Sequence, residues 1–337
     1  MKKYRFIIIA AILLIGFAIG FVAGHLKPVT NPEVERIFVP EECNFDALVD
    51  TLDAHHCLDG RHTAFSDIAK LRGLPNHIKA GSYLVRPKMK VLSLVQKLYS
   101  GNQDALRVTI NKHRTPEQFC SFMGDKLALS ADSLLALLRN NEFCAQYGCD
   151  TNTILSIFMQ DTYEFYWTIS PEKLVDRLYK ESERFWKDNQ QALDALGLTR
   201  QQVVTLASIV DEETNCNEEK ADIASVYLNR YRIGMALQAD PTVKYALRDF
   251  SIQRIWGKML AFDSPYNTYR YAGLPPGPIC IPSRSSIKAV LQNKQTHYLF
   301  FCAKEDFSGR HNFSSTIAEH TANAQKFHKA LNERKIR

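Results

Sequence analysis

The sequence predicts an α+β protein in three parts: an N-terminal transmembrane helix, a small α+β module and a larger mixed α+β domain. Three observations carry this reading. An uncharged stretch, 6–23, follows Lys2, Lys3 and Arg5. Short strand-like runs at 37–39, 80–85 and 106–110 alternate with segments whose apolar residues recur at helical spacing. The chain has 337 residues, 45% hydrophobic and 23% charged, enough for one large core or two modest ones and unlike a disordered composition.

The first part is judged by length. At about 1.5 Å per residue the stretch 6–23 just reaches across a bilayer core of roughly 30 Å. The basic residues before it place the N-terminus in the cytoplasm and everything after His25 outside, as a single-pass protein of the cytoplasmic membrane with a periplasmic domain. The alternative is a signal peptide cleaved near Val22-Ala23-Gly24, although signal cores usually run only about 7–15 residues. Either way the rest of the chain is exported. These boundaries give an anchor at 1–24, a linker at 25–36, a module at 37–101 and the large domain at 102–337.

Within the module, Asn44 is a good N-cap for a helix over 44–52; a second helix covers 64–71, and a third, 91–98, ends before Gly101. The large domain opens on the strand 106–110 and reads as mostly helical to about Gln190. Thr199 and Gln202 form a capping-box pattern, with Leu198 and Val203 spaced as a hydrophobic staple. A following helix is expected from about Asn217 to Arg232. The stretch 263–282, rich in Pro, Gly, Tyr and Asn, is a structured loop. A strand-like run at 297–302, a turn at Ser308-Gly309 and a helix over 316–329 close the chain.

Several chemistries are excluded. The net charge of +6 is spread along the chain, with no basic block that would point to nucleic acid. The eight cysteines include no Cys-x-x-Cys pair, so no zinc site is expected; disulfides in an oxidising compartment stay open. No Gly-rich phosphate loop, Gly-x-Ser-x-Gly or His-Glu-x-x-His occurs, and no cofactor is implied.

What remains is the acidic triplet Asp211-Glu212-Glu213 at the end of the Thr199-capped helix. At 100° per residue Glu212 falls on the polar side with Gln201, Thr205 and Ser208, while Glu213 falls among Leu206, Ile209 and Val210. A carboxylate on an apolar stripe loses solvation, which raises its pKa and suits a general acid. A solvated acidic helix end has the same composition, so the triplet alone does not establish a site. Glu218 and Glu219 are accounted for as favourable charges in a first helical turn, and Asp240 as the cap of a helix starting at Pro241. Gln238, between apolar neighbours, is free to face a cleft. Tyr266-Asn267-Thr268-Tyr269 combines aromatic faces and an amide, as sugar-contacting loops and packed turns both do.

With these residues in view, the chain resembles the YceG-like family of endolytic murein transglycosylases. The resemblance rests on ordered motifs: 207–214, Ala-Ser-Ile-Val-Asp-Glu-Glu-Thr; 224–230, Ala-Ser-Val-Tyr-Leu-Asn-Arg; 233–243; Tyr266-Asn267-Thr268-Tyr269; 273–277, Gly-Leu-Pro-Pro-Gly; and His311-Asn312-Phe313. It extends more weakly over 37–101, which resembles the family's LysM-like module. The resemblance implies cleavage of peptidoglycan glycan strands to 1,6-anhydro ends, with Glu213 as catalytic acid/base. It also implies partnership with peptidoglycan synthases. Gln238, Asp240, Asn267 and Tyr269 are candidates for the cleft, with Asn229 and His311 behind them. The departures are Asp211 for Glu, Glu212 for Lys, and Gln160 for a Pro before Asp-Thr-Tyr. Glu212 is expected to point to solvent and disturb Glu213 little. Two rival readings are a two-carboxylate hydrolase pairing Glu213 with Asp161 or Glu164, and a non-catalytic wall-binding scaffold.

Overall fold

The computed structural model describes residues 8–9, 11–16, 20 and 27–334. Most of the expected anchor at 6–23 lies outside the described residues, and among those described no helix is long and apolar enough to cross a membrane. The chain divides into two compact units.

The first unit comprises residues up to Arg107 with 126–128 and 164–169. Strand β1 (Glu35–Val39) is followed by α1 (Phe45–Ala54) and α2 (His62–Leu71), then β2 (Gly81–Val85) and α3 (Val91–Ser100). β1 and β2 are antiparallel, with Glu35 opposite Val85 and Val39 opposite Gly81. Asn44 caps α1 by accepting from the Ala47 N–H at 2.8 Å. Gly101 ends α3 at φ +70°, a conformation in which a Cβ is strained. The core joins Ile37 and Val85 of the strands to Leu48, Phe65 and Leu94 of the helices, all fully buried.

Strand β3 (Leu106–Ile110) pairs with β4 (Asp161–Phe165), with α4 (Pro116–Lys126), α5 (Ala131–Leu138) and α6 (Asn141–Ala145) between them in sequence. β4 is the one strand in a stretch that is otherwise mostly helical, as expected. Its Asp-Thr-Tyr-Glu-Phe sequence alternates exposed and buried residues from Thr162 onward, the period of a strand.

The second unit holds the remaining helices: α7 (Pro171–Asp188), α8 (Gln190–Leu196), α9 (Arg200–Glu213), α10 (Lys220–Arg232), α11 (Asp240–Leu247), α12 (Arg284–Leu291) and α13 (Ile317–Glu333). Its β5 (Phe300–Ala303) and β6 (His311–Ser314) form an antiparallel hairpin. α9 is the central helix. Its capping box is formed in both directions: the Thr199 hydroxyl accepts from Gln202 N, and the Gln202 side chain accepts from Thr199 N. Every residue from Val203 to Asp211 is buried. Val203, Leu206, Ile209 and Val210 pack in one core with Ile223 and Tyr227 of α10 and Ile287 and Val290 of α12. Each such aliphatic side chain contributes about 1.5–3 kcal/mol on burial. Thr205 and Ser208, expected on a solvated face, are buried too; the Ser208 hydroxyl accepts from Ile279 N at 3.0 Å and donates to Thr205 O. A helix enclosed on all sides has no solvent face.

α10 begins at Lys220, later than the expected Asn217, with Glu219 as its cap residue and a backbone φ of −95°. All eight cysteines are free thiols, four of them buried.

Candidate active site

A cavity of about 340 Å³ in the second unit is lined by Glu213, Tyr227, Arg230, Gln238, Asp240 and Tyr269, with Leu237, Phe300, Phe301, Ile317 and His320 completing it. Glu213 is the last residue of α9, half-buried, and the Tyr227 hydroxyl donates to its Oε1 at 2.6 Å. Burial pushes its pKa up to about 7. The Asp240 and Glu212 charges add to that, while the Tyr227 bond and Lys244 oppose it. Among the described residues Glu213 forms no salt bridge. A carboxyl poised near neutral pH at the wall of a cavity can donate and then recover a proton.

Its two neighbours in the triplet are held differently. Asp211 is buried and accepts from Ser283 Oγ at 2.5 Å and from Ser286 Oγ; Lys220 Nζ and Lys112 Nζ each lie 3.1 Å from it. Burial by itself would raise its pKa. The two serine bonds and the two ammonium charges outweigh that and hold it down to about 2. Glu212 takes a two-point contact from Arg114, Nε–Oε1 at 3.0 Å and Nη2–Oε2 at 2.9 Å, with Lys112 at 3.8 Å. Its side chain is only 11% exposed, which corrects the expectation that it points to solvent. Lys112 and Arg114, about a hundred residues away in sequence, convert the expected solvated face into an ion-paired one.

Asp240 is the first residue of α11 and makes no cap bond; Ala239 occupies the cap position, which corrects the expected capping role. The Asp240 carboxylate instead accepts from Tyr269 OH at 2.5 Å, and Tyr269's pKa is raised by burial and by that partner. Gln238 is exposed at φ +53°, a left-handed backbone unusual for a residue with a Cβ. It is held there by bonds on either side: Gln238 N donates to Thr268 O at 3.1 Å and Ala239 N to Thr268 Oγ1 at 3.0 Å.

Asn267 does not line the cavity. It is fully buried, its Nδ2 donating to Leu260 O and Phe262 O, its Oδ1 accepting from Tyr269 N at 3.0 Å. It therefore shapes the loop that presents Tyr269. Gly277 of the same loop lies so close to Asn152 that an added Cβ would come within 2.1 Å of its carbonyl oxygen. Asn229 also lies off the cavity, donating to Thr296 O and Tyr298 O at 3.0 Å each. His311 is apart too: its backbone N–H donates to Glu219 Oε1 at 3.0 Å, and its Nδ1 lies 3.0 Å from Oε2. Glu219 is thus buried and fixes the start of β6, in place of the expected role as a charge in the first turn of a helix; it sits at the cap position and its side chain makes no cap bond.

Tyr227, Arg230 and His320 were missed by sequence reasoning. Arg230 donates to Leu299 O and Leu237 O at 2.6 Å each and lies 5.2 Å from the centroid of Phe300. Tyr227 and Arg230 stand three apart on α10 and share a face, whereas Asn229 between them looks elsewhere. Asp161 and Glu164 are not among the cavity's lining residues; Asp161 pairs with Arg284 at 2.8 Å. Gln160 donates to Ile281 O at 2.8 Å.

The chain is 28% identical over 340 residues to the endolytic murein transglycosylase of Bacillus subtilis (strain 168), covering 96% of this chain and 93% of that protein. It is 25% identical to the endolytic murein transglycosylase of Streptococcus pneumoniae serotype 2 (strain D39), covering 88% of this chain and 60% of that longer protein. A crystal structure of a yceG-like protein from Listeria monocytogenes superposes with a TM-score of 0.56 at 27% identity, covering 86% of this chain and 99% of that one. Residues 37–326 match the YceG-like family, and that span reaches into both units and includes every residue of the cavity: the chain belongs to the YceG-like family.

Proposed function

We propose that this chain is an endolytic lytic transglycosylase that cleaves the β-1,4 bond between N-acetylmuramic acid and N-acetylglucosamine within peptidoglycan strands. The observation that carries the reading is the contrast within the triplet: Glu213 lines the cavity with no salt bridge among the described residues and its pKa is raised toward neutrality, whereas Asp211 is ion-paired and its pKa is held down. Protonated Glu213 donates to the leaving glycosidic oxygen as positive charge develops at the anomeric carbon. The resulting carboxylate takes the proton from the muramoyl 6-hydroxyl, whose oxygen closes on its own C1 to give a 1,6-anhydro end. The nucleophile comes from the substrate, so one carboxyl group serves twice. Asp240, held by Tyr269, keeps negative charge at the cavity, which favours the protonated form of Glu213 before cleavage and a cationic transition state during it.

The membrane reading follows from the apolar stretch 6–23 behind three basic residues. It places the second unit outside the cytoplasmic membrane, where peptidoglycan synthases release new strands. The first unit, with antiparallel strands packed on helices, is proposed as a LysM-like wall-binding module.

The test is product analysis on purified sacculi. Wild-type protein is expected to release fragments with 1,6-anhydro ends, and Glu213→Gln to release essentially none. Reducing ends in place of anhydro ends would replace the transglycosylase reading with a hydrolase one. Undiminished release by Glu213→Gln would remove Glu213 from the reaction.

A further inference from the structure

One titratable group on the cavity has no part in the reaction described above. His320 lies on α13, three residues after Ile317, so the two share a helix face, and both line the cavity with Glu213. α13 is fixed at its start by a complete capping box between Thr316 and Glu319. The imidazole stacks on Phe300 with centroids 5.3 Å apart and planes inclined by 25°, and the guanidinium of Arg230 lies 5.2 Å from the same Phe300 ring.

The two ring nitrogens of His320 differ. Nδ1 is buried and has no hydrogen-bond partner. A neutral imidazole carries one N–H donor and one lone-pair acceptor, and the donor belongs where a partner can reach it. With Nδ1 enclosed and unpartnered, that place is Nε2, on the accessible side of the ring. Burial and the Arg230 charge both lower the imidazole's pKa, keeping the ring neutral. Phe300 on one face fixes the plane in which the N–H points.

We propose that His320 is a substrate-binding residue of the Glu213 cavity, its Nε2–H donating to an acceptor oxygen of the glycan strand, such as an acetamido carbonyl. The proposal rests on the glycan-cleaving reading above. A neutral donor suits this place, since an imidazolium beside the reacting sugar would oppose the positive charge that develops there. The bond replaces water at one nitrogen of a ring already held by stacking, so little ordering entropy opposes it.

The test uses the full chain carrying Glu213→Gln, so that glycan is bound without turnover. The probe is a GlcNAc–MurNAc tetrasaccharide without stem peptides, with a chitin tetrasaccharide as the acetamido-only comparison. Adding His320→Ala is expected to weaken binding of both on the order of tenfold, and His320→Gln, which restores an amide N–H, to recover part of it. In 15N-detected spectra of the protein with His320 intact, the ring is expected in the neutral Nε2–H form, with that signal moving on addition of either sugar. Unchanged affinity in a folded His320→Ala protein would overturn the proposal. So would an Nε2 signal unmoved at saturating sugar, a result available even if the alanine variant does not fold. Failure of the transglycosylase reading is seen separately, in the products of the Glu213-containing enzyme.

Discussion

The ion-paired hub around Asp211 and the cavity wall around Glu213 lie two residues apart on one helix and move the same functional group in opposite directions. Both carboxyls lose water. Asp211 recovers more than it loses, from two serine hydroxyls and two lysines, and titrates near 2. Glu213 recovers only the Tyr227 bond and the distant pull of Lys244, and titrates near 7. Burial alone does not specify a catalytic acid. What specifies it is burial whose compensation has been directed to the neighbouring positions.

The largest expected effect comes from removing the uncompensated member. Glu213→Gln should lower kcat by about 10²–10⁴-fold, the usual worth of a general acid. The proposed mechanism requires the acid form in the wild type, so kcat/KM should fall as pH rises through about 7. The stability consequence has the same sign. The folded-state pKa of about 7 exceeds the ordinary 4.5, so the contribution of this group is complete below pH 4.5 and lost as pH rises through 7. Urea titrations should show Glu213→Gln gaining on the wild type above pH 7, by up to about 3 kcal/mol, with the difference vanishing in acid.

Emptying the compensated position should instead cost stability at neutral pH. Asp211→Ala leaves Lys112 and Lys220 without their buried counter-charge and is expected to destabilise by about 3–5 kcal/mol in chemical denaturation. Because the folded pKa is depressed below 3.8, the wild type's advantage is full above that value and disappears as pH falls through 2. Equal acid sensitivity in the two proteins would show that the hub is not what stabilises the helix end.

A subtler change sharpens the comparison. Tyr227→Phe removes the one hydroxyl that favours the carboxylate form of Glu213. The alkaline limb of the pH–rate profile should therefore move to higher pH, and movement the other way would show that the hydroxyl serves the protonated acid. The smallest effect is expected at Gln238, where φ is +53°. Gln238→Gly should relieve about 1 kcal/mol of backbone strain while raising KM, measured as a stability gain paired with weaker glycan binding.

The sequence made local structure legible and left long-range pairing hidden. Asn44, Gly101 and the Thr199–Gln202 box mark helix ends through interactions that span only a few residues, and the structure contains all three. Helical phase put Glu213 among apolar residues, and the structure shows it desolvated at a cavity wall, but the same phase misread Glu212, because the partners that bury Glu212 come from residues 112 and 114. The same logic failed for Thr205 and Ser208, since phase predicts a solvent face only for a helix that has one. Of the chosen polar residues, Gln238, Asp240 and Tyr269 line the cavity, whereas Asn229, Asn267 and His311 spend their hydrogen bonds on backbone or on Glu219. Tyr227 and Arg230 had a readable signal in their i, i+3 spacing near the acidic triplet. His320 had none, because only tertiary packing brings α13 to the cavity.

The hub has one more consequence. The last turn of a helix ordinarily frays, and its amides exchange with solvent long before the molecule unfolds. Here Asp211 ties that turn to Ser283 and Ser286 at the start of α12 and to Lys220 at the start of α10, while Thr214 N still donates to Val210 O at 3.3 Å. Amide protons at 210–214 should therefore exchange only through global opening, as slowly as those of the helix centre. The carboxyl proposed as the catalytic acid thus sits where a helix is usually loosest, on a terminus expected to open only when the fold does.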